Sequence, residues 1–153
     1  MSLTRTQAVD EMVRLLRERW NALTPAVLGG SDPALLQWPG TIVAPPEVVQ
    51  PFGRFQVRHA ANPRHTFAPK GQRRFERSGL ITIQCFGPIA DPDWPDGGLS
   101  LAENLAIIAR DAYEGEGTDD GLWFRNARIV EIGADKVYYQ QQALVEFQYD
   151  ETK

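Results

Sequence analysis

The stretch that most constrains the fold is an apolar run at residues 79–86, followed at once by a loop and an amphipathic segment. The run reads Gly-Leu-Ile-Thr-Ile-Gln-Cys-Phe, which suits a strand and is far too short for a membrane helix. Residues 87–98 repeat proline, glycine and aspartate, and residues 99–113 place apolar side chains at helical spacing. This order predicts a central strand, a loop and a helix packed on the sheet.

The N-terminal segment predicts another amphipathic helix. Thr4 with Gln7 forms a Thr-x-x-Gln capping box, which marks a helix start. The apolar residues at helical spacing are Val9, Met12, Val13, Leu16 and Trp20. Because proline disfavours helix in the residue before it, Pro25 predicts that this helix ends near residues 21–23. The connection 24–53 is rich in proline and glycine, so we expect at most an edge strand there, near Trp38 and residues 41–43.

Alternating residues predict strands at about 53–60, 122–132 and 137–149, and the apolar run belongs to a strand at about 75–86. A second helix is expected to open at Ser100, with Glu103 completing its capping box. The sum is an α+β fold: a four-stranded, mainly antiparallel sheet with two helices packed on one face and a long basic hairpin loop. At 153 residues, the chain is expected to form a single domain spanning 1–153.

No group of residues favours a catalytic, cofactor or metal site. Cys85 is the only cysteine, so it excludes an internal disulfide and is expected to be a buried, inert thiol. His59 and His65 lack nearby ligand partners, and no serine has a Gly-x-Ser-x-Gly context. The loop aspartates are not spaced as in a calcium loop. We therefore expect a protein that is not an enzyme, and the N-terminus, which has no signal-peptide pattern, favours synthesis in the cytoplasm.

Charge is distributed unevenly along the chain. A basic segment at 54–77 holds seven basic residues and one acid, and an acidic segment at 87–121 holds nine acids and one arginine. The two segments either attract one another across a subunit boundary or form two separate solvated surfaces. The basic segment also suits a nucleic-acid-binding module or the wall of a passage for DNA. The candidate interaction residues are Arg64, Lys70, Arg73, Arg74, Arg77, Asp91, Asp93 and Asp96.

Several motifs together carry a resemblance to a known family. Trp38-Pro39 and Pro45-Pro46 form a Trp-Pro-x-x-x-x-x-Pro-Pro segment ahead of a Phe-Gly-Arg-Phe-x-Val strand. A later strand reads Arg-x-Gly-x-x-x-x-Gln-x-Phe-x-Pro, from Arg77, and the second helix reads Leu-x-x-Asn-Leu-Ala-x-x-Ala. Over nearly the full length, this arrangement resembles the tail terminator proteins of long-tailed, non-contractile (siphovirus-type) phages.

The resemblance implies a virion structural protein without a cofactor. Members of this family form a ring, usually of six copies, that caps the tail tube, ends its growth and gives the head connector a docking surface. The implied partners are further copies of the chain, the tail tube protein and the head–tail connector protein, with DNA only passing through the lumen and no membrane. The implied location is the head-proximal end of the tail. The alternatives are another neck or tail-completion protein, a nucleic-acid-binding module, and a small enzyme of unrecognised type.

Overall fold

Two helices and five strands make up the computed structural model, which describes residues 2–40, 45–60, 66–89, 98–118 and 121–153. In chain order, the elements are α1 (Arg5–Leu28), β1 (Leu35–Gln37), β2 (Phe52–His59), β3 (Arg74–Pro88), α2 (Leu99–Asp111), β4 (Trp123–Ala134) and β5 (Tyr138–Thr152). The strands form one sheet in the order β1-β2-β3-β5-β4. The stretch at 79–86 therefore lies in the middle strand of the sheet, as the sequence predicts.

The α+β class and the mainly antiparallel sheet are confirmed, but the predicted number of four strands is wrong, because the sheet has five. The additional strand, β1, is three residues long and pairs in parallel with the start of β2, so the sheet is mixed. All other neighbours are antiparallel. A three-residue strand is too short to show an alternating pattern, and its pairing depends on residues 17 positions along the chain. Residues 41–43, part of the predicted edge strand, lie outside the described residues.

The core lies between one face of the sheet and the two helices. Alternate residues of β3 and β5 point toward α1 and α2 and are almost completely buried, as the strand period of two requires. On this covered face the central strands contribute Ile81, Ile83, Cys85, Ala143, Val145 and Phe147. Trp20 of α1 reaches β2, and its indole N–H donates to the carbonyl of Ala34 at 2.8 Å. Burial of this apolar surface is the main stabilising term of the fold.

Helix α1 begins as predicted but ends later. Thr4 and Gln7 form the reciprocal capping box, and the helix runs through Pro25 to Leu28, where Gly29 caps it in the left-handed conformation. The predicted end near residues 21–23 is wrong. The buried Thr24 hydroxyl donates to the Trp20 carbonyl at 2.6 Å and accepts from the Ala34 amide, which anchors this last turn against the following segment.

Helix α2 begins at Leu99 rather than at a capped Ser100. Its N-cap residue is Gly98, in the left-handed conformation and without a side-chain cap, so the predicted capping box is wrong. A Cβ atom at Gly98 would collide with the backbone of Gly87 and Pro88. This close backbone approach, and not a side-chain cap, places the start of α2 against the end of β3.

Candidate interaction surface

The predicted interaction residues divide into those that the structure describes and those outside it. Arg64, Asp91, Asp93 and Asp96 lie outside the described residues. Lys70 and Arg73 are exposed in the hairpin that leads into β3, where the Arg73 guanidinium donates to the Ala68 carbonyl at 2.9 Å.

The remaining two predicted residues, Arg74 and Arg77, are ion-paired within the chain. Arg74 pairs with Asp150, and Arg77 pairs with Glu151 at 3.4 Å, because β3 and β5 run side by side to their ends. Lys153 also pairs with Glu151. Two of the four predicted interaction residues that the structure describes are therefore ion-paired with carboxylates, each about 75 positions further along the chain. This part of the basic segment carries less free charge than its composition indicates.

The sequence analysis missed a second set of arginines, which lies on the sheet face opposite the helices. We call this the open face, since no described helix packs on it. Arg58 of β2, Leu80 of β3, Glu146 of β5 and Arg125 of β4 form one row across it, in register. The next row on this face adds Arg128 of β4, and the row after it adds Arg54 of β2. The face thus carries two arginines on β2, two on β4 and a polar centre on β3 and β5 between them.

A β-bulge in β4 is the reason that Arg125 and Arg128 share the open face. The register shifts between these two residues, and Asn126 takes a positive φ of 53°. Without the bulge, residues an odd number apart would point to opposite faces of the sheet. The simple alternation predicted for residues 122–132 is therefore interrupted, and no sequence signal marks the interruption beyond an asparagine, which tolerates the left-handed conformation.

The open face contains a groove of about 500 Å³, which we call the arginine groove. It is lined by Arg58, His59, Ala60, Ser78, Gly79, Leu80, Arg125, Arg128, Glu146 and Phe147. The Glu146 carboxylate accepts a hydrogen bond from the side-chain amide of Asn126 at 2.7 Å, and the Arg128 guanidinium donates to the backbone carbonyl of Asn126 at 3.0 Å. Among the described residues, Arg58, Arg125 and Arg128 form no ion pair. The groove therefore has an excess of positive charge.

A cluster of aromatic rings lies at one end of the open face and holds Arg54 in position. Phe52 stacks on Phe86 with ring centroids 4.4 Å apart, and Tyr138 packs edge-on against both. The Arg54 guanidinium lies 5.6 Å from the centre of the Phe86 ring and donates to the Gln37 side chain at 3.1 Å. Both contacts hold this arginine in place, and the aromatic contact stabilises its charge.

His59 and Cys85 show no arrangement for catalysis. His59 shares a 2.9 Å hydrogen bond with the Tyr149 hydroxyl, and burial lowers the pKa of its imidazole, with Arg5 and Arg77 lowering it further and Glu151 opposing them. Cys85 is fully buried, and burial raises the pKa of its thiol strongly, so its predicted burial is confirmed. In the described part of the chain, no three potential metal ligands come together.

Strand β4 forms one edge of the sheet. Apart from a single bridge between Gly117 and Trp123, its outer side pairs with no described residue. Trp123 and Ile132 are 58% and 51% exposed, and Val130 and Val137 are also exposed. An exposed edge with apolar side chains is a site at which another chain can pair.

Comparisons with known proteins support the fold and no more. No protein-family model and no curated protein matches the chain. A solved structure, of a protein whose name states no function, superposes with a TM-score of 0.55 and 15% identity over 92% of this chain and 94% of its own. Similarity at that identity is informative about architecture alone. None of the helices in the described ranges is long and apolar enough to span a membrane.

Proposed function

We propose that this chain is a tail terminator subunit: copies of it form a ring, expected to be a hexamer, that caps a phage tail tube. The ring would end tube growth and present a docking surface to the head–tail connector, at the head-proximal end of the tail in the virion. DNA would meet it only in passage through the lumen. The proposal rests on the sequence resemblance, and the geometry below supplies a physical route to the ring. Another neck or tail-completion protein is the alternative.

The observation that carries the proposal is the free edge of β4. Apart from the bridge to Gly117, its outer backbone groups pair with no residue in the described part of the chain, and Val130 and Ile132 are exposed along it. Backbone pairing along such an edge, with apolar side chains beside it, is a common mode of subunit contact.

The opposite edge of the sheet offers a different surface, as a ring requires. There β1 pairs only with Phe52–Arg54, so no described strand covers the outer side of β2 from Phe55 to His59. A contact between two different edges is heterologous, and it generates a closed ring when the rotation between neighbours divides a full turn. The basic hairpin contributes mainly through Lys70 and Arg73, since Arg74 and Arg77 are already paired.

The test combines an edge variant with a matched control. Val130→Lys/Ile132→Lys places two charges on the β4 edge, whereas Leu23→Lys/Leu99→Lys places two charges at similarly exposed apolar positions on the helices. Light scattering after size exclusion is expected to give a ring-sized particle for the wild type and the control, and a monomer for the edge variant. Electron microscopy with purified tail tubes is expected to show rings at one tube end.

Two outcomes would contradict the proposal. One is a wild-type protein that stays monomeric and fails to bind tubes at high concentration. The other is an edge variant that retains its circular dichroism spectrum and still forms the ring. If rings form but bind no tube, the terminator function is wrong and the edge contact stands.

A further inference from the structure

We propose that the open face is a binding site for single-stranded nucleic acid, with the arginine groove holding phosphates and Trp123 stacking on a base. This site goes beyond the proposed function, because it requires neither the ring nor the tail tube. It also differs from the basic hairpin considered in the sequence analysis, because its residues lie on the strands of the sheet.

The first support is the concentration of charge. Arg54, Arg58, Arg125 and Arg128 lie on the open face around one carboxylate, Glu146, in a chain whose formal net charge is −4. The four arginines and one carboxylate therefore form a group of net positive charge on a chain that is negative as a whole. A surface of this kind attracts a polyanion and orients it on approach.

The second support is the spacing of the arginines. Strands lie about 4.8 Å apart, so β2 and β4, which are three positions apart in the sheet, place their arginines on two lines separated by roughly 14 Å. Between these lines the side chains on the open face are mostly uncharged, and Ser78, Thr82 and Gln142 among them are half-buried. A flexible phosphate backbone can cross such a surface and contact guanidinium groups on both sides.

The third support is an aromatic side chain beside the charge. Trp123 is opposite Gln148 on the open face, one row from Arg125, and it is 58% exposed. Its neighbour Phe124 points the other way and packs on Tyr113, which fixes the orientation of the strand at this position. Charge that follows the backbone and an aromatic ring that stacks on bases are the two elements of single-strand binding without sequence preference.

The experiment measures binding of a fluorescent 20-nucleotide single strand by anisotropy, between 50 and 200 mM salt. We expect Arg58→Gln/Arg125→Gln/Arg128→Gln to weaken binding and to reduce the slope of log affinity against log salt by about 2, at about 0.7 per lost phosphate contact. Trp123→Ala is expected to weaken binding about 5- to 150-fold while leaving the slope unchanged, because it removes stacking and no charge.

Matched variants keep the result interpretable. Arg14→Gln/Arg19→Gln/Arg110→Gln removes the same charge from the two helices and is expected to retain the affinity and the slope. Arg58→Lys/Arg125→Lys/Arg128→Lys keeps the charge and is expected to bind within a few-fold of the wild type. If the triple glutamine variant does not fold, Arg125→Gln alone, at an exposed position, is expected to lower the slope by about 0.7.

Several results would overturn the inference. These are no binding of the single strand at 50 mM salt, equal losses in the groove and helix variants, or tighter binding of a polyglutamate peptide than of the nucleic acid. A duplex that binds more tightly than the single strand would also contradict it, since the stacking site would then be unused. The groove arginines lie on β2 and β4, the two strands of the proposed ring contact, but their side chains point to the open face while the ring contact uses the outer backbone groups. The groove variants are therefore expected to keep the wild-type oligomeric state by light scattering, and a variant that loses the ring and the single strand together would contradict a separate site.

Discussion

The two faces of one sheet have opposite properties although they are formed by the same strands. On the covered face, inward-pointing residues such as Ile81 of β3 and its partner Val145 of β5 have no exposed surface. On the open face, their immediate neighbours Leu80 and Leu144 are only half-buried and lie among arginines. The comparison shows that alternate residues of each strand have separate roles. Those on the covered face stabilise the fold, and those on the open face are available for contacts.

The largest expected effect tests this comparison directly. Ile81→Ala should lower the free energy of unfolding by about 2–5 kcal/mol, because it leaves a cavity in the core. Leu80→Ala, one residue away on the open face, should lower it by about 1 kcal/mol, since only part of its side chain leaves water on folding. Urea unfolding followed by circular dichroism measures both. Equal losses would show that the open face is covered in solution.

A second change tests a position on the covered face at which there is no space for an additional Cβ atom. Gly79→Ala would place a Cβ atom against the Arg58 carbonyl and 2.6 Å from the Phe147 ring, so we expect a loss of about 1–3 kcal/mol. Gly30→Ala is the control, because its Cβ would meet nothing within 4 Å, and it should change stability by no more than about 0.5 kcal/mol. The same unfolding measurement applies, and matching values for the two variants would contradict the steric argument.

A third change concerns a polar group buried in the core between the helices and the covered face. The buried Tyr113 hydroxyl of the segment after α2 donates to the Met12 carbonyl of α1 at 2.6 Å, and burial raises its pKa, so it stays protonated. Tyr113→Phe should cost about 1 kcal/mol, the net value of a hydrogen bond. Tyr139→Phe, at a partly exposed position, should be close to neutral. Thermal melts of both variants provide the comparison, and no difference between them would contradict it.

The smallest effect is a pH dependence at His59. Its pKa in the folded protein lies below the ordinary value of 6.5, so folding favours the neutral imidazole. The stability that depends on the neutral ring is fully present above about pH 6.5 and is lost as the pH falls through the lower, folded-state pKa. The melting temperature of the wild type should therefore fall more between pH 7.5 and 5.5 than that of His59→Gln. An equal fall in both proteins would contradict the assignment.

Sequence patterns located most of the secondary structure because those patterns are local. The Thr4 capping box, the apolar run in β3 and the alternation in β5 depend on neighbouring residues, and all three elements were predicted correctly. The missed features depend on distant partners. The three-residue β1 exists only because β2 pairs with it, and Arg74 is neutralised by Asp150, which no local pattern links to it.

The open face was missed for a related reason. Arg125 and Arg128 fall on opposite faces in a regular strand, and only the bulge at Asn126 brings them together. Arg54 and Arg58 were counted with the hairpin because they are close to it in sequence, whereas the register places them across the sheet from β4. Charge counted along the chain therefore grouped these two arginines with the hairpin, whereas the sheet register groups them with Arg125 and Arg128.

We also expect the irregularities in β4 to limit aggregation. The register shifts twice, after Arg125 and after Glu131, so the regular part of the strand between the shifts is only Arg128–Glu131. Four residues offer few backbone hydrogen bonds, and the added twist on either side misaligns any longer incoming strand. Indefinite stacking of sheets, as in amyloid, requires a long and flat edge. This edge is short enough to accept one geometrically matched neighbour and too irregular to seed a fibril.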